Sequence, residues 1–206
     1  MASEGPIFNI VGATVALGPL RRDLLPLYLR WVNDFSAMQR ISSVVRPWTL
    51  EQEVEWFERQ SVSETSVSFT IYERSSKQPI GTTELHDLDF RNGTAEFGIL
   101  IGEAKARGKG YGSETAYLML DYGFTALGLH NIMLQVFAFN LPARRAYEKA
   151  GFREIGRRRE ARPMTGKRWD LILMDALSTE FTGSVLADIF APDQDRSRQQ
   201  PRDGTR

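Results

Sequence analysis

The sequence contains no cysteine, only two histidines, no excess of charge of either sign and no long apolar run. Without cysteine, the chain can form neither disulfides nor thiolate metal ligands, and it has no thiol to act as a nucleophile. The two histidines, His86 and His130, are too few for a zinc site built on imidazole ligands. We therefore predict a protein that binds no metal.

Charge and hydropathy give no sign of a polymeric or membrane partner. Lysine plus arginine and aspartate plus glutamate each number 26, so the formal net charge is zero at pH 7. Nucleic acid and membrane surfaces, which attract basic proteins, are therefore not predicted partners. No run of about 18 or more apolar residues could span a bilayer, and the start of the chain does not resemble a signal peptide. We expect a cytoplasmic protein.

The composition fits one enzyme-sized domain. The 206 residues are 42% hydrophobic and 11% aromatic, which is enough to bury one sizeable core. We predict a single domain over residues 1–180 and a C-terminal extension over residues 181–206. Apolar residues at 181–190 could pack on the body or on a partner, whereas almost nothing apolar follows residue 192, and we predict disorder there.

Hydrophobic periodicity predicts a mixed α/β protein. Helices are indicated at residues 23–34 and after Thr49, where Thr49 and Gln52 form a capping-box pattern. Six strands are indicated, at 67–72, 80–88, 95–102, 132–139, 152–160 and 168–177. The nearly continuous apolar run at 132–139 predicts a strand that is buried on both faces. Two later helices are expected at 112–127 and 142–150.

The segment ARGKGYGSET, residues 106–115, places Gly108, Gly110 and Gly112 at alternate positions before a predicted helix. Little side-chain bulk lets the backbone approach a ligand, and the helix N-terminus offers free N–H groups, so phosphate is the expected ligand. The spacing fits neither the P-loop, since glycine follows Lys109, nor the dinucleotide motif, since Gly112 comes one position early. By itself the loop could equally be a tight turn without a ligand.

Seven residues, which begin within this segment and continue beyond it, form a motif in a fixed order: Arg107, Gly110, Gly112, Asn140, Tyr147, Gly151 and Phe152. Residues 95–152, which contain them, resemble the core of the GNAT superfamily of acyl-CoA-dependent N-acyltransferases, in particular its RimJ/RimL and spermidine acetyltransferase-like branch. A looser likeness extends from residue 14 to residue 177. Close relatives in this branch often carry an aromatic residue where this chain has Arg107, although the arginine fits the wider superfamily pattern.

The resemblance implies the GNAT fold, a central, mostly antiparallel twisted sheet flanked by helices and splayed between the strands on either side of the cofactor-binding helix. It implies acetyl-CoA as co-substrate, with the pyrophosphate on backbone N–H groups of residues 108–113 and the pantetheine arm against residues 99–101. Residues 99–101 would in any case be strand core. The implied cofactor-binding residues are Ile99, Leu100, Ile101, Arg107, Gly108, Lys109, Gly110, Tyr111, Gly112, Ser113 and Asn140.

Acyl transfer to an amine needs a neutral amine, a polarised thioester carbonyl and a proton for the leaving thiolate. By the resemblance, Tyr147 supplies that proton, and the usual phenol pKa of about 10 is close to that of an alkyl thiol. Glu84 and Glu96 are the candidate bases and are preferred to His86, which shares a strand face with Glu84. The alternative is that Tyr147 is a packed helix residue and that each carboxylate is structural or binds a cation.

These features predict an acetyl-CoA-dependent N-acetyltransferase in which a primary amine attacks directly in a ternary complex, because no cysteine could carry the acetyl group. The predicted acceptor is a small-molecule amine, namely a polyamine, amino sugar or amino acid, selected near the first two helices and the loop at 42–48. The alternatives are a ribosomal-protein-like N-terminal acetyltransferase, a non-catalytic acyl-CoA-binding module and a domain that binds the phosphate of another nucleotide. The family also predicts a homodimer. Aromatic residues near those helices are predicted to be core: Trp31, Trp48, Trp56 and Phe57.

Overall fold

A computed structural model describes residues 5–41, 44–183 and 185–190. The segment predicted to be disordered, after residue 192, lies outside the described residues, as do residues 42–43 of the loop predicted to border the acceptor site. The described strands are β1 (Ile10–Val11), β2 (Val15–Pro19), β3 (Val67–Glu73), β4 (Pro79–Asp89), β5 (Thr94–Ile101), β6 (Asn131–Phe137), β7 (Arg153–Met164) and β8 (Lys167–Leu177).

Helices flank the sheet formed by these strands. They are α1 (Leu25–Val32), α2 (Phe35–Met38), α3 (Leu50–Ser61), α4 (Tyr111–Asp121), α5 (Leu141–Ala150) and α6 (Ala187–Phe190). Helix α4 continues as a π-helical turn over Tyr122–Ala126, and single 3₁₀ turns lie at Arg22–Leu24 and Ala104–Ala106. None of the helices in the described ranges is long and apolar enough to cross a membrane.

Local sequence signals account for several helix ends. The capping box predicted at Thr49 and Gln52 forms at the start of α3, with both reciprocal hydrogen bonds present. Pro142 lies in the first turn of α5, where its missing N–H needs no partner, and Gly151 ends that helix with φ at 118°. These short-range signals therefore fix where α3 and α5 begin and where α5 ends.

The sheet has eight strands in the order β1-β2-β3-β4-β5-β6-β8-β7. All neighbouring strands are antiparallel except β5 and β6, which run parallel and pair only between Thr94–Glu96 and Asn131–Met133. Beyond those three residue pairs, β5 is paired only with β4 and β6 only with β8. The sheet is therefore splayed on either side of the connection that contains α4, and the predicted mixed α/β, GNAT-like fold is confirmed.

The splay also corrects the prediction for β6. Ile132, Leu134 and Val136 are buried on one face, but Gln135 on the other face is exposed, and the strand ends at Phe137 rather than at residue 139. Because β5 diverges from β6 at this point, the second face borders an opening at Gln135, although Phe137, two residues farther along the same face, is buried. The prediction of burial on both faces was therefore wrong.

The C-terminal segment packs partly on the body of the domain. The ring of Phe181 lies 5.2 Å from that of Tyr117 and 5.4 Å from that of Phe124, measured between centroids. Leu186 is buried in the core, and its backbone N–H donates to the buried carboxylate of Asp121 at 3.0 Å. This part of the extension is thus continuous with the packing around α4.

Candidate active site

The glycine loop adopts a conformation that requires glycine at two positions. Gly108 has φ at +76° and Gly110 at +88°, both in the left-handed region, and Gly110 is the N-cap of α4. Within the described part of the chain, no acceptor is bonded to the backbone N–H groups of residues 108–112. A run of free N–H groups at a helix N-terminus is a ready site for an anion, phosphate above all.

Two alanine substitutions in this loop are expected to change stability in opposite directions. Gly110→Ala should lower the free energy of unfolding by about 1–2 kcal/mol, because a side chain is disfavoured at this φ even though no atom beyond its chain neighbours lies within 4 Å of the new Cβ. Gly112→Ala, inside α4 and 3.9 Å from the nearest side-chain atom, should raise it by about 0.5–1 kcal/mol. Denaturant unfolding without ligand measures both, and changes of the same sign would contradict the assigned backbone conformation.

Arg107 holds the loop against the end of β5. Its Nε donates to the carbonyl of Ile101 at 3.0 Å, and its Nη2 donates to the carbonyl of Gly102 at 2.8 Å and to Asp34 Oδ2 at 2.9 Å. Hydrogen bonds from Ser36 and Arg107 lower the pKa of Asp34 to about 2, so this carboxylate is ionised at neutral pH. The guanidinium is therefore engaged by protein groups, and its contribution to ligand binding would come through the position of the loop.

The other loop side chains are also turned toward protein groups. Tyr111 donates its hydroxyl to Glu73, and the Lys109 ammonium lies 4.0 Å from the same carboxylate. Ser113 donates its hydroxyl to the carbonyl of Ala146 at 3.1 Å, which joins α4 to α5. Recognition of an anion here would therefore rest mainly on the backbone N–H groups.

A cavity of about 570 Å³ lies where β5 and β6 separate, and we call it the central cavity. Six of the residues predicted from the sequence to form the site line it together: Glu84, Glu96, Ile99, Leu100, Asn140 and Tyr147. The glycine loop and Ile101 are not part of its lining. The structure thus gathers the proposed acid, the proposed bases and part of β5 in one space, with the free N–H groups of the loop outside it.

Tyr147 is held in the wall of the central cavity by two phenylalanine rings. Its own ring is centred 6.0 Å from that of Phe97 and 6.0 Å from that of Phe152, and the residue is 8% exposed. Burial raises the pKa of Tyr147 to about 12, above the ordinary phenol value assumed from the sequence. The hydroxyl is therefore protonated throughout the physiological pH range and available to donate a proton.

Glu84 and Glu96 reach the same cavity from neighbouring strands. Burial raises the pKa of Glu84 above its ordinary value, an effect that the nearby His86 and a long 3.5 Å contact from Ser68 oppose only in part. The carboxylate of Glu96 accepts a 3.4 Å hydrogen bond from Gln135. The buried environment of Glu84 therefore favours its taking up a proton.

Asn140 lies between the end of β6 and the first turn of α5. Its side-chain amide donates to the carbonyl of Arg40 at 3.3 Å, and its backbone carbonyl accepts from Arg144 at 3.1 Å. Asn140 is buried and lines the central cavity. These contacts tie the start of α5 to the segment after α2, and the predicted contact of Asn140 with a cofactor stays a prediction.

A second cavity of about 270 Å³, which we call the aromatic cavity, adjoins the central one. Five residues line both cavities: Met38, Trp56, Thr82, Glu84 and Leu100. Four aromatic side chains face the aromatic cavity: Tyr28, Trp31, Trp48 and Trp56. Trp31 is buried as predicted for a core residue, whereas Trp48 and Trp56 are only partly buried and form walls of this space.

Glu53 also lines the aromatic cavity, although it is not among the residues predicted from the sequence. It is only 2% exposed, and its Oε1 has no hydrogen-bond partner among the described residues. Burial raises its pKa to about 7; the Trp48 indole lies near enough to oppose this shift, yet its N–H does not reach hydrogen-bonding geometry. The missed signal was a glutamate one turn before Phe57, on the apolar face of α3.

The raised pKa of Glu53 should make stability depend on pH. Between its ordinary value of 4.5 and about 7, only the unfolded state has released this proton, so the free energy of unfolding should fall by about 3 kcal/mol as pH rises through this range. Urea unfolding near pH 5 and pH 8 measures the fall, and Glu53→Gln should remove most of it. Glu84 and Arg46 face the same cavity. The raised pKa of Glu84 also makes the free energy of unfolding fall as pH rises, and this part of the fall should persist in Glu53→Gln. If the whole fall between pH 5 and pH 8 persists in Glu53→Gln, the assignment to Glu53 is wrong.

Comparison with known proteins places these features in context. A family model described as an acetyltransferase (GNAT) domain matches residues 15–153. The chain is 29% identical over 155 residues to a spermidine N(1)-acetyltransferase of Vibrio cholerae, an alignment that covers 74% of this chain and 89% of the relative. It is 28% identical over 162 residues to the human alpha/beta-tubulin-N-acetyltransferase 9, covering 71% of this chain and 75% of the relative. Among solved structures, the Vibrio cholerae spermidine N-acetyltransferase in complex with CoA and spermine superposes with a TM-score of 0.76 at 26% identity, covering 84% of this chain and all of that one.

Proposed function

Because the chain belongs to the GNAT acetyltransferase family and is an acetyltransferase, we propose that it transfers an acetyl group from acetyl-CoA to a primary amine of a small molecule, a polyamine being the favoured class. The observation that carries this proposal is the central cavity, where Tyr147, Glu84 and Glu96 meet at the opening of the sheet. A proton donor and proton acceptors in one cavity are what acyl transfer to an amine requires.

The residues present fit acetyl-CoA as the co-substrate, which would supply the acetyl thioester. The free N–H groups of residues 108–112 match its pyrophosphate, and the one-sided pairing of β5 beyond Glu96 leaves room for an extended arm beside Ile99 and Leu100. Arg107 would keep the loop in place, and Asn140 would line the reacting end. A structural neighbour that contains CoA supports this fit.

The proton transfers follow from the roles of the two titratable groups. Glu84 accepts a proton from the attacking amine, and Tyr147 donates its phenol proton to sulfur as the carbon–sulfur bond breaks and the carbon–nitrogen bond forms. One proton then returns from Glu84 to Tyr147 through solvent, so both residues regain their starting states. No step needs a covalent acyl-enzyme, in keeping with the absence of cysteine.

Two carboxylates in one cavity favour an acceptor that is cationic before it is deprotonated. Glu84 and Glu96 both line the central cavity and lie on the adjacent strands β4 and β5, whereas the two arginines of the lining, Arg40 and Arg158, come from other segments. Polyamines carry an amine at each end of the molecule, so that both carboxylates could be engaged by one acceptor. Two of the relatives, one named for spermidine and one for tubulin, represent the small-molecule and protein alternatives.

Release of free thiol from acetyl-CoA, followed with a thiol reagent, tests the proposal. The assay would compare spermidine, an amino sugar, an amino acid and a peptide with a free N-terminus, and the cysteine-free protein adds no background. We expect spermidine to give the highest kcat/KM. Turnover with the peptide alone would assign a protein acceptor, CoA binding without any turnover would assign a binding module, and absence of CoA binding would overturn the interpretation of the glycine loop.

A further inference from the structure

We infer that the aromatic cavity is a second cation-binding site, in which Glu53 and the surrounding indole rings hold the ammonium group of a di- or polyamine acceptor that is not acetylated. The acceptor class rests on the proposed function, but the site itself rests on residues outside the proposed acetyl-transfer machinery. Three observations carry the inference: an unpaired buried carboxylate, aromatic walls, and a lining shared with the central cavity.

The first observation is the unpaired state of Glu53. A carboxylate that is 2% exposed is normally paired with a cation or fully hydrogen-bonded, because burying it alone is unfavourable. Among the described residues, Glu53 makes no ion pair, and its Oε1 accepts no hydrogen bond. Glu53 is also one of the residues that line the aromatic cavity. A cation that enters the cavity would supply the missing partner.

The second observation is the chemistry of the cavity walls. The Tyr28 ring is centred 5.7 Å from that of Trp31 and 6.4 Å from that of Trp56, at steep angles, so ring faces and edges from several directions meet around this space. Aromatic faces attract ammonium groups, most strongly when water is excluded. Trp48 already makes such a contact, with the exposed Arg46 guanidinium 5.2 Å from its ring centre.

The third observation is that the two cavities are neighbours with a common wall. Glu84, the proposed base, lines both, as do Trp56 and Leu100. A flexible diamine could therefore place one amine beside Glu84 and the other beside Glu53, with its methylene chain along apolar side chains. The charged groups that face the aromatic cavity are Glu53, Glu84 and Arg46, and the two carboxylates outnumber the one guanidinium.

Kinetics with two amines test the inference. Spermidine carries additional ammonium groups, whereas butylamine carries a single amine. We expect Glu53→Gln to raise the KM for spermidine by about 10-fold to 100-fold more than the KM for butylamine. A factor of this size is the usual effect of losing one hydrogen bond between charged partners. Glu55→Gln is the matched control, because Glu55 lies two residues away on the solvent side of α3, and it should leave both values unchanged. Equal changes for the two amines with Glu53→Gln would overturn the inference.

A binding measurement separates this inference from the proposed function. Spermidine binding to the protein without acetyl-CoA can be followed by calorimetry and by tryptophan fluorescence, since three tryptophans line the cavity. Weaker binding to Glu53→Gln than to the unsubstituted protein supports the site even if no amine is acetylated. Equal binding, or none to the unsubstituted protein, overturns the site even if amines are acetylated.

A second variant guards against a folding defect. Glutamine removes a buried charge, so Glu53→Gln should unfold at the same temperature as the unsubstituted protein or higher at pH 8. If it does not, Trp48→Phe gives an independent test, because Trp48 is only partly buried and its loss should weaken spermidine binding about threefold to tenfold. Unchanged binding in that variant would count against the aromatic walls as part of the site.

Discussion

Tyr147→Phe is expected to lower kcat for acetyl transfer by about 10²–10⁴-fold, while the affinity for CoA stays close to that of the unsubstituted protein. The substitution removes only the hydroxyl, and the remaining ring keeps its packing between Phe97 and Phe152. Loss of rate without loss of affinity is the result expected when a proton donor, rather than a binding group, is removed.

The raised pKa of Tyr147 bears on this expectation. The buried phenol, with a pKa of about 12, is a weaker acid than an alkyl thiol in water. In the central cavity, however, the departing thiolate is removed from water together with the phenol, and burial raises the pKa of any acid whose charged form is an anion. The pKa values of the phenol and of the departing thiol therefore both rise, so the difference between them stays small enough for proton transfer.

Steady-state kinetics and CoA binding by calorimetry measure the effect. Tyr122→Phe is the matched control, because Tyr122 is half-buried, packs edge-on against Phe69 and does not line the central cavity. It should change kcat by less than about threefold. If Tyr147→Phe behaves like this control, water rather than Tyr147 protonates the leaving group.

Glu84→Gln is expected to lower kcat/KM by about 10²–10⁴-fold and to remove one limb of the pH profile. Only the ionised carboxylate can accept a proton from the amine. Because burial raises the pKa of Glu84, the active form appears at higher pH than for an exposed glutamate, and the rate should rise as pH increases through that raised pKa. The variant has no group that titrates there, so this limb should disappear.

The acceptor amine causes a further rise in kcat/KM at higher pH, as its ammonium form loses a proton. This rise should remain both in the unsubstituted protein and in Glu84→Gln. The difference between the two profiles therefore isolates Glu84. Glu96→Gln is the matched comparison, with the same chemical change in the same cavity but a carboxylate that is hydrogen-bonded by Gln135. If Glu96→Gln loses the acidic limb and Glu84→Gln keeps it, the two roles must be exchanged.

The parts of the fold that the sequence predicted well are those set by neighbours in the chain. The capping box at Thr49 and the glycine stop at Gly151 each depend on a few adjacent residues, and each forms where expected. The splay of the sheet was predicted from the likeness of residues 95–152 to a known family. The gathering of Glu84, Glu96 and Tyr147 in one cavity agrees with that likeness, while their catalytic roles await the experiments above.

The remaining features depend on residues far apart in the chain. Gln135 is exposed because β5 leaves β6 after three residue pairs, which no periodicity within β6 can indicate. The burial of Glu53 depends on how α3 packs beside α1, and the pKa of Tyr147 depends on Phe97, 50 positions earlier. Hydrophobic patterning shows which face of an element turns inward, but it does not show whether the space there is filled.

The parallel junction of β5 and β6, only three residue pairs long, gives the sheet two inner edges in addition to its outer ones. An exposed strand edge normally invites pairing with another chain and so promotes aggregation. Here the unpaired stretches of β5 and β6 lie between other strands of the same sheet, where a second sheet cannot align alongside them. The open strand edges thus lie beside the space that we propose for the extended arm of acetyl-CoA, and neighbouring strands of the same sheet shield them from other protein molecules.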